Sequence, residues 1–218
     1  MILVNFKLYK ETFGDGALRL AEICQKVSKK TGVKIIPVVT TLDAVRIKEK
    51  LGMKTVYVQS VDNVVDGPKT GFISPFQVEA AGIDGTLINH SEHKVKPGSV
   101  KRLLKNWPKN LKSVVCISTL GQANGWAKNI KPDLIAYEPK EFIGNSEKSV
   151  ASEKPDIVKK IVEKYPNIPV LVGAGIHSKK DVEISLKLGA KGVLISSFIV
   201  KAKDPEKELT EIALAFSV

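Results

Sequence analysis

Short apolar runs and segments of helical period alternate along the whole chain. Each run is rich in aliphatic residues and has the length of a strand that is buried on both faces, as in parallel sheets. The runs are Ile2–Phe6, Lys34–Val39, Thr55–Val61, Gly85–Asn89, Ser113–Ser118, Leu134–Tyr137, Val170–Gly173 and Val193–Ser196, and a final helix is expected at Pro205–Phe216. A doubly wound sheet normally has fewer strands than this, so the pattern predicts an α/β fold of the (β/α)8 barrel type, a TIM barrel.

Helix start and stop signals separate the predicted strands. They are the apolar period of Asp43–Leu51, Pro97 before Gly98–Trp107, and Ser178 before an amphipathic run that ends at Gly189. No low-complexity segment or linker interrupts the strand–helix repeat. At 218 residues the chain has the length of one barrel, so a single domain spanning residues 1–218 is expected.

The composition is typical of a globular protein. Hydrophobic residues make up 43% of the chain, and no stretch approaches the roughly 18 consecutive apolar residues of a membrane span. The first strand begins without the basic and apolar regions of a signal peptide, so a cytoplasmic location is expected. Cys24 and Cys116 are far apart and lack metal-ligand spacing, which predicts buried reduced thiols and no metal site.

The net charge of +11 comes almost entirely from lysine. The arginines, which are Arg19, Arg46 and Arg102, do not lie in a patch interleaved with aromatic residues, so a nucleic-acid partner is not indicated. A solvated lysine-rich surface explains the charge, and its positive field would attract a small anionic substrate.

The sixth predicted strand ends in Glu138, directly before Pro139. Proline cannot continue the ladder, so the carboxylate is expected at the carboxyl end of the strand, where barrels bind ligands. The following segment, Lys140–Lys154, has no apolar period and is interpreted as a mobile loop that can cover the carboxylate. This arrangement suits proton abstraction away from water, although a glutamate that only caps or pairs explains the same residues.

Two other strand ends carry candidate chemistry. Asn5 and Lys7 alternate with Phe6, so they point to one side of the first strand, where an amide and a cation suit an anionic substrate. His90 ends the fourth strand, and a helical turn directly after it would lower its pKa. Taken alone, a solvated strand-end lysine and a structurally satisfied histidine remain the simpler explanations.

The last two strand ends suit a phosphate group. Gly173-Ala174-Gly175 follows the seventh strand and Ser196-Ser197 follows the eighth, where barrels place backbone amides around phosphates. One glycine turn is weak evidence, but two such turns after the last two strands are more specific. His177, close to the first turn, has no evident partner in the sequence.

These strand ends occur together, and in this order, in one family. Over essentially its whole length the chain resembles triosephosphate isomerase, in particular the compact archaeal form. The matching motifs are Asn5-Phe6-Lys7, Asn89-His90-Ser91-Glu92, Tyr137-Glu138-Pro139 followed by Ile143-Gly144, Gly173-Ala174-Gly175-Ile176 and Lys201-Ala202-Lys203-Asp204-Pro205. Gln59-Ser60-Val61-Asp62, Thr70-Gly71 and Cys116 also resemble family signatures.

The resemblance implies an isomerase that interconverts dihydroxyacetone phosphate and glyceraldehyde 3-phosphate, a step of glycolysis and gluconeogenesis, without metal or organic cofactor. It implies that Glu138 removes the carbon-bound proton, that neutral His90 polarises the carbonyl and that Lys7 stabilises the enediolate. Asn5 would donate a hydrogen bond to the substrate. The phosphate would be held through main-chain groups of Ile143, Gly144, Gly175, Ser196 and Ser197.

The resemblance also implies a homo-oligomer, either a dimer or a tetramer. The loop Val65–Phe72 combines apolar side chains with turn residues, and it would reach into the site region of a neighbouring subunit. The alternative is a loop that folds back on its own chain, but an exposed Phe72 would then add to an apolar patch of the kind that usually marks an interface.

Two other functions share part of these features. Another phosphate-binding barrel enzyme, such as a synthase of the tryptophan or thiamine pathways, would explain the last two strand ends. It would give no reason for finding Asn5, Lys7, His90 and Glu138 together. A non-catalytic barrel would follow if two departures from the family pattern had abolished turnover: the lid sequence Ile143-Gly144-Asn145-Ser146-Glu147-Lys148 in place of the usual Gly-Thr-Gly tip, and Phe198 where relatives carry glycine.

Overall fold

In the computed structural model, residues 1–96, 98–126, 129–144 and 148–217 are described. Across these residues eight parallel strands pair in sequence order, and β8 pairs with β1 to close the barrel. The strands are β1 (Ile2–Asn5), β2 (Ile35–Val39), β3 (Tyr57–Val58), β4 (Gly85–Ile88), β5 (Lys112–Ile117), β6 (Leu134–Tyr137), β7 (Val170–Val172) and β8 (Gly192–Ile195). The single-domain (β/α)8 barrel predicted from the alternation of runs is confirmed.

Helices surround the barrel. Those of the described residues are α1 (Asp15–Thr31), α2 (Thr41–Leu51), α3 (Pro75–Ala80), α4 (Ser99–Lys105), α5 (Leu120–Trp126), α6 (Val150–Glu153), α7 (Pro155–Lys164), α8 (Lys179–Lys187), α9 (Ser197–Val200) and α10 (Pro205–Leu214). Short 3-10 helices lie at Lys10–Thr12, Lys140–Phe142 and Ala215–Ser217. Ser178 caps α8 as predicted, because its side chain accepts from the amide of Asp181. Pro97, the predicted start signal of α4, lies outside the described residues.

Alternation along each strand separates two apolar layers. One layer contains strand residues alone and fills the barrel interior: Leu3, Ile36, Val38, Tyr57, Leu87, Val114, Cys116, Leu134, Ala136, Leu171 and Leu194. The other joins the outward-facing strand residues, such as Ile2 and Val4, to the helices. Phe6 belongs to this outer layer and is fully buried, as predicted, so Asn5 and Lys7 are directed to the barrel mouth.

The strand boundaries differ from the predicted ones, most clearly at β3. The predicted strand Thr55–Val61 is reduced to Tyr57–Val58. The amide of Val56 donates to the carboxylate of Asp84 over 2.9 Å. The amide of Asp62 donates to the carbonyl of Ile73 over 2.8 Å and so joins the two ends of the loop that follows β3. Side-chain and loop partners of this kind compete with the ladder for backbone groups, and an apolar pattern cannot reveal them.

The prediction of a loop without helical structure at Lys140–Lys154 is wrong at both of its ends. Lys140–Phe142 forms a 3-10 helix, and Val150–Glu153 forms α6, which the side chain of Ser149 caps. Residues 145–147 lie outside the described residues. The first of these helices buries Phe142 and the second buries Val150 and Ala151, so neither has a full amphipathic stripe and no apolar period marks it.

Candidate active site

A cleft of about 230 Å³ opens at the carboxyl ends of the strands. Residues that are distant in the sequence meet there because parallel strands of a closed barrel all end at the same mouth. The cleft is lined by every residue that the sequence singled out as a site candidate, namely Asn5, Lys7, His90, Glu138, Ile143, Gly144, Gly175, Ser196 and Ser197. It is also lined by Gly173, Ile176, His177 and Phe198.

Glu138 lies at the end of β6 and is 4% exposed. Its amide donates to the carbonyl of Ile117 over 2.8 Å, so the residue is held in register with β5. A Cβ atom on Gly173 would lie 2.6 Å from the Cγ of Glu138, and the glycine therefore provides the space for this side chain. Oε2 of Glu138 is a buried polar atom for which the described residues provide no hydrogen-bond partner. Such an atom is available to a ligand.

His90 lies at the end of β4, with Nε2 at 3.3 Å from Oε1 of Glu138. The amide of Glu92 donates to Nδ1 over 3.3 Å, which favours the neutral tautomer with its proton on Nε2, facing the cleft. Burial lowers the pKa of His90, but the hydrogen bond and charge of Glu138, together with the charge of Glu92, raise it above its ordinary value, so the prediction of a lowered pKa is wrong for the free protein. The imidazole of His90 therefore contacts a carboxylate at Nε2 and a backbone amide at Nδ1.

Both the backbone and the side chain of Lys7 are held by neighbouring residues. Its backbone has φ of 52°, which is uncommon outside glycine, and this conformation is supported by two side chains. Oδ1 of Asn5 accepts from the amide of Lys7 over 3.0 Å, and Nε2 of Gln59 donates to its carbonyl over 2.9 Å. Nζ of Lys7 pairs with Oε1 of Glu92 at 2.7 Å. The sequence pattern predicts only a turn at Glu92 after the fourth strand, but the structure shows that Glu92 positions both the lysine and the imidazole.

A network that the sequence analysis missed supports the turn after β4. Asn89 has φ of 62°, a conformation that asparagine tolerates better than most residues. Its amide nitrogen donates to the carbonyl of Cys116 over 2.9 Å, and its Oδ1 accepts from the amide of Val95 over 3.2 Å. Nζ of Lys94 bonds the carbonyl of Asn89 at 3.3 Å and Oγ of Ser118 at 2.8 Å. The ends of β4 and β5 are therefore fixed relative to each other.

Both cysteines are buried free thiols, as predicted. Burial raises the pKa of Cys24 to about 12. Burial also raises the pKa of Cys116 well above its ordinary value, and the charge of Glu138 and a hydrogen bond to it act in the same direction. Cys116 is therefore a neutral neighbour of the Glu138 carboxylate.

The part of the cleft between the ends of β6 and β1 is made from the turns after β7 and β8. Gly175 has φ of 72°, and a Cβ atom there would lie 2.2 Å from the carbonyl oxygen of Lys148, so only glycine fits. The amide of Val150 donates to the carbonyl of Ala174 over 3.1 Å. This bond docks the end of the segment Lys140–Lys154, called the lid segment, on the same turn. Oγ of Ser196 is buried, and no described residue bonds to it.

The two ends of the lid segment are joined at its base. Nζ of Lys154 pairs with Oε1 of Glu141 at 2.6 Å and lies 5.3 Å from the ring centre of Phe142. These contacts link the 3-10 helix that precedes the lid to the residue that follows α6. The part of the segment between them carries Ile143 and Gly144 into the cleft.

His177 also has partners that the sequence did not reveal. Its Nδ1 lies 2.5 Å from the carbonyl oxygen of Gly175 and 3.6 Å from Oδ2 of Asp181. These contacts arise because the turn after β7 folds back on the start of α8, and sequence spacing alone does not show this.

The arrangement can carry out proton transfer on a small anion. A buried carboxylate, an imidazole and an ammonium group line the cleft together with the turns after β7 and β8, whose main-chain amides suit an anion. Within the described residues, no three His, Cys, Asp or Glu side chains are grouped so as to hold a metal ion. None of the described helices has both the length and the apolar character needed to cross a bilayer. Fold and site together define a (β/α)8-barrel enzyme.

Comparison with known proteins identifies the family. The family model described as triosephosphate isomerase matches residues 1–215. The chain is 36% identical over 217 residues to the triosephosphate isomerase of Methanothermus fervidus, covering 97% of this chain and 96% of that protein. It is 37% identical over 211 residues to that of Saccharolobus solfataricus, covering 95% and 92% of the two chains. The chain belongs to the triosephosphate isomerase family, and it is an isomerase. The resemblance noted in the sequence is confirmed.

Proposed function

We propose that this protein interconverts dihydroxyacetone phosphate and D-glyceraldehyde 3-phosphate through an enediolate, as a cytoplasmic step of glycolysis and gluconeogenesis. The observation that carries the proposal is the pairing of Glu138 and His90 at 3.3 Å, in a cleft that Lys7 also lines. A base, an electrophile and a cation around one small cavity are the groups that this proton transfer needs. Family membership supports the same reaction.

In the forward direction, the carboxylate of Glu138 takes a proton from C1 of dihydroxyacetone phosphate. Nε2–H of His90 donates to the C2 carbonyl oxygen and transfers its proton to that oxygen as negative charge develops there, while Lys7 stabilises the charge. The protonated Glu138 then returns its proton to C2, while the O1 hydroxyl gives up its proton to the imidazole. Each group ends in its starting state, so no external reactant is needed.

The tautomer of His90 suits this role. The amide of Glu92 occupies Nδ1, so the neutral ring presents its proton to the substrate from Nε2. In the free protein the contact with Glu138 raises the pKa of His90. A substrate oxygen placed between the two side chains would replace that contact and leave burial, which favours the neutral imidazole, as the main influence.

Substrate binding uses the rest of the cleft. Asn5 is 4% exposed and lies beside Lys7, where its side chain donates to the substrate. The phosphate is held by main-chain groups of Ile143, Gly144, Gly175, Ser196 and Ser197. The buried hydroxyl of Ser196, which the described residues leave without a partner, supports a ligand in this part of the cleft.

An assay of the forward reaction, with dihydroxyacetone phosphate as substrate, tests the proposal. Formation of glyceraldehyde 3-phosphate is coupled to its oxidation by NAD⁺, and the same mixture in D₂O is followed by NMR. The expected result is turnover with deuterium at C2 of the product, because the proton on Glu138 exchanges with solvent in the enediolate complex. A folded protein that binds phosphate without turning over either triose phosphate would instead be a non-catalytic barrel. Turnover of other phosphorylated compounds alone would favour another barrel enzyme.

We infer in addition that the protein is a homo-oligomer. The segments that follow β1, β2 and β3, including the first turn of α2, expose large apolar side chains: Leu8 is 75% exposed, Phe13 49%, Leu42 89%, Val65 56% and Phe72 53%. Since these strands are neighbours in the barrel, the exposed groups lie on one side of the mouth. A second cleft of about 310 Å³, lined by Lys7, Leu8, Gln59 and Glu92, adjoins them. A partner's Val65–Phe72 loop in that cleft would cover the apolar side chains and support Lys7.

Sedimentation velocity at micromolar concentration tests the inference. The expected species is larger than the 23.7 kDa chain. Thr70→Arg is expected to dissociate it and to lower activity together, because a bulky charge cannot be buried unpaired in a tight pocket. Thr119→Arg, an exposed position after β5 on the other side of the mouth, is the control and is expected to leave the assembly intact. A fully active species at the mass of one chain would contradict the inference.

A further inference from the structure

His177 lines the cleft but has no part in the proposed proton transfer. Its side chain is 25% exposed, and its Nδ1 lies 2.5 Å from the carbonyl oxygen of Gly175. A carbonyl oxygen only accepts hydrogen bonds, so Nδ1 is the donor and carries a proton. The ring thus closes a local hydrogen bond across the turn that the phosphate would contact.

The position of the ring is set by the start of α8, a helix of nine residues. The amide of His177 donates to Oδ2 of Asp181 over 3.3 Å, and Nδ1 lies 3.6 Å from the same oxygen. Asp181 is 5% exposed and is fixed in turn by Ser178, whose hydroxyl donates to Oδ2 over 2.6 Å and accepts from the amide of Asp181 over 3.2 Å. Backbone and side chain of His177 are therefore anchored to one buried carboxylate.

The hydrogen bond acts on a peptide unit that needs support. The carbonyl of Gly175 and the amide of Ile176 belong to one rigid plane, so fixing the carbonyl on one side fixes the amide on the other. Gly175 has φ of 72°, and a glycine turn has several conformations within reach. The contact from Nδ1 selects one of them. The turn cannot relax toward the lid, because the carbonyl of Lys148 already lies against Gly175.

We propose that His177 is a positioning residue for the phosphate site, and this rests on the function proposed above. By donating from Nδ1 to the carbonyl of Gly175, it holds the glycine turn in the conformation that binds a phosphomonoester dianion. It acts through the turn and not on the reacting carbons. Its loss therefore weakens binding of every ligand that carries the phosphate, while the chemical step is preserved.

Two variants separate the hydrogen bond from the bulk of the ring. His177→Phe keeps a ring of similar size but has no donor, whereas His177→Asn places an amide N–H close to the position of Nδ1. Lys180→Ala removes an exposed charge from the same end of α8 and serves as the control for electrostatic attraction alone. Kinetics with dihydroxyacetone phosphate and competitive inhibition by inorganic phosphate are measured for each, with circular dichroism to verify the fold.

His177→Phe is expected to raise KM and the inhibition constant of inorganic phosphate together, by about 3- to 10-fold, the effect of one neutral hydrogen bond. Its kcat is expected to stay within about 2-fold of the wild-type value, since an interaction with the phosphate turn contributes to uniform binding. His177→Asn is expected to recover most of the loss, and Lys180→Ala to change neither constant. Equal effects in the Phe and Asn variants, or a fall in kcat at unchanged KM, would overturn the proposal.

The test also separates this proposal from the function on which it rests. If the wild-type protein turns over no triose phosphate, calorimetric titration with inorganic phosphate still measures the site. Weaker phosphate binding in His177→Phe alone would then support the positioning role and contradict the isomerase. Turnover by the wild-type protein with unchanged constants in His177→Phe would support the isomerase and contradict the positioning role.

Discussion

Two groups of strand ends line the cleft and are built in different ways: the ends of β1, β4 and β6, called the first wall, and the ends of β7 and β8, which lie between β6 and β1 and are called the second wall. On the wall formed by the ends of β1, β4 and β6, charged and polar side chains meet: Lys7 with Glu92 at 2.7 Å, and His90 with Glu138 at 3.3 Å. On the wall formed by the ends of β7 and β8, the main chain approaches the cleft through glycines and serines. One wall is specified by which side chains are present, and the other by the conformation of the backbone.

The difference shows how each wall tolerates change. A side chain that carries charge or a proton has no substitute of different chemistry, so a conservative replacement already alters the reaction. A backbone site depends on its shape, and any residue that preserves the turn preserves the amides. Substitutions on the first wall are therefore expected to affect turnover most, and those on the second to affect binding.

Lys7→Ala is expected to have the largest effect, with kcat/KM lower by about 10³-fold. The change removes the cation nearest to the developing oxyanion and to the dianionic substrate, and it leaves Glu92 without its partner at 2.7 Å. Steady-state kinetics with both triose phosphates measure it. Lys10→Ala, an exposed lysine in the same loop, is the control. Wild-type kinetics in the Lys7→Ala variant would show that Lys7 is only a solvated residue at a strand end.

Glu138→Asp is expected to lower kcat by about 10²-fold or more while KM changes little. The carboxylate is retracted by about one methylene from a position that Cys116 and Gly173 define closely, so the near-attack geometry is lost. Glu163→Asp, at an exposed position on α7, is the control. If the aspartate variant retains near-normal turnover, the base must be another residue.

Gly173→Ala is expected to affect both walls, because Gly173 belongs to the turn after β7 and provides the space for Glu138 at the end of β6. The added Cβ would lie 2.6 Å from the Cγ of Glu138, so the carboxylate must shift. We expect kcat to fall about 10-fold and stability to fall by about 1–3 kcal/mol, as for other overpacked sites. Gly125→Ala, where no atom lies within 4 Å of the new Cβ, is the matched control. Thermal unfolding and kinetics measure both; equal behaviour of the two variants would show that the space is not needed.

Glu138→Gln is expected to lower the pKa of His90, since the charge that raises it is removed and burial remains. A raised pKa in the folded state means that the pair stabilises the protein below the unfolded pKa of about 6.5, and that this contribution is lost as the pH rises through the folded pKa. The variant should therefore lose more stability at pH 6 than at pH 9. NMR titration of the ring protons measures the shift, and the chain has only 3 histidines to assign. An unchanged or higher pKa would show that Glu138 does not control the imidazole.

Much of the fold could be predicted from local pattern. The eight apolar runs coincide with the eight strands of the described residues, because a strand buried on both faces must be apolar along its whole length. The misplaced features depend on distant partners. The shortening of β3 reflects the bond from Val56 to Asp84, and α6 at the end of the lid segment is docked by the bond from the amide of Val150 to the carbonyl of Ala174.

The candidate side chains Asn5, Lys7, His90 and Glu138 could be found in the sequence because each stands directly at the end of an apolar run, and barrel geometry brings such positions together. The contacts that support these side chains could not be found in the sequence. The bond from Glu92 to His90, the backbone conformation of Asn89 and the bond from His177 to Gly175 link groups whose directions depend on φ, on rotamers and on neighbouring elements. Residue type and spacing indicate which chemistry is available, whereas distances of about 3 Å and the resulting pKa shifts arise only when the packed barrel sets side-chain directions.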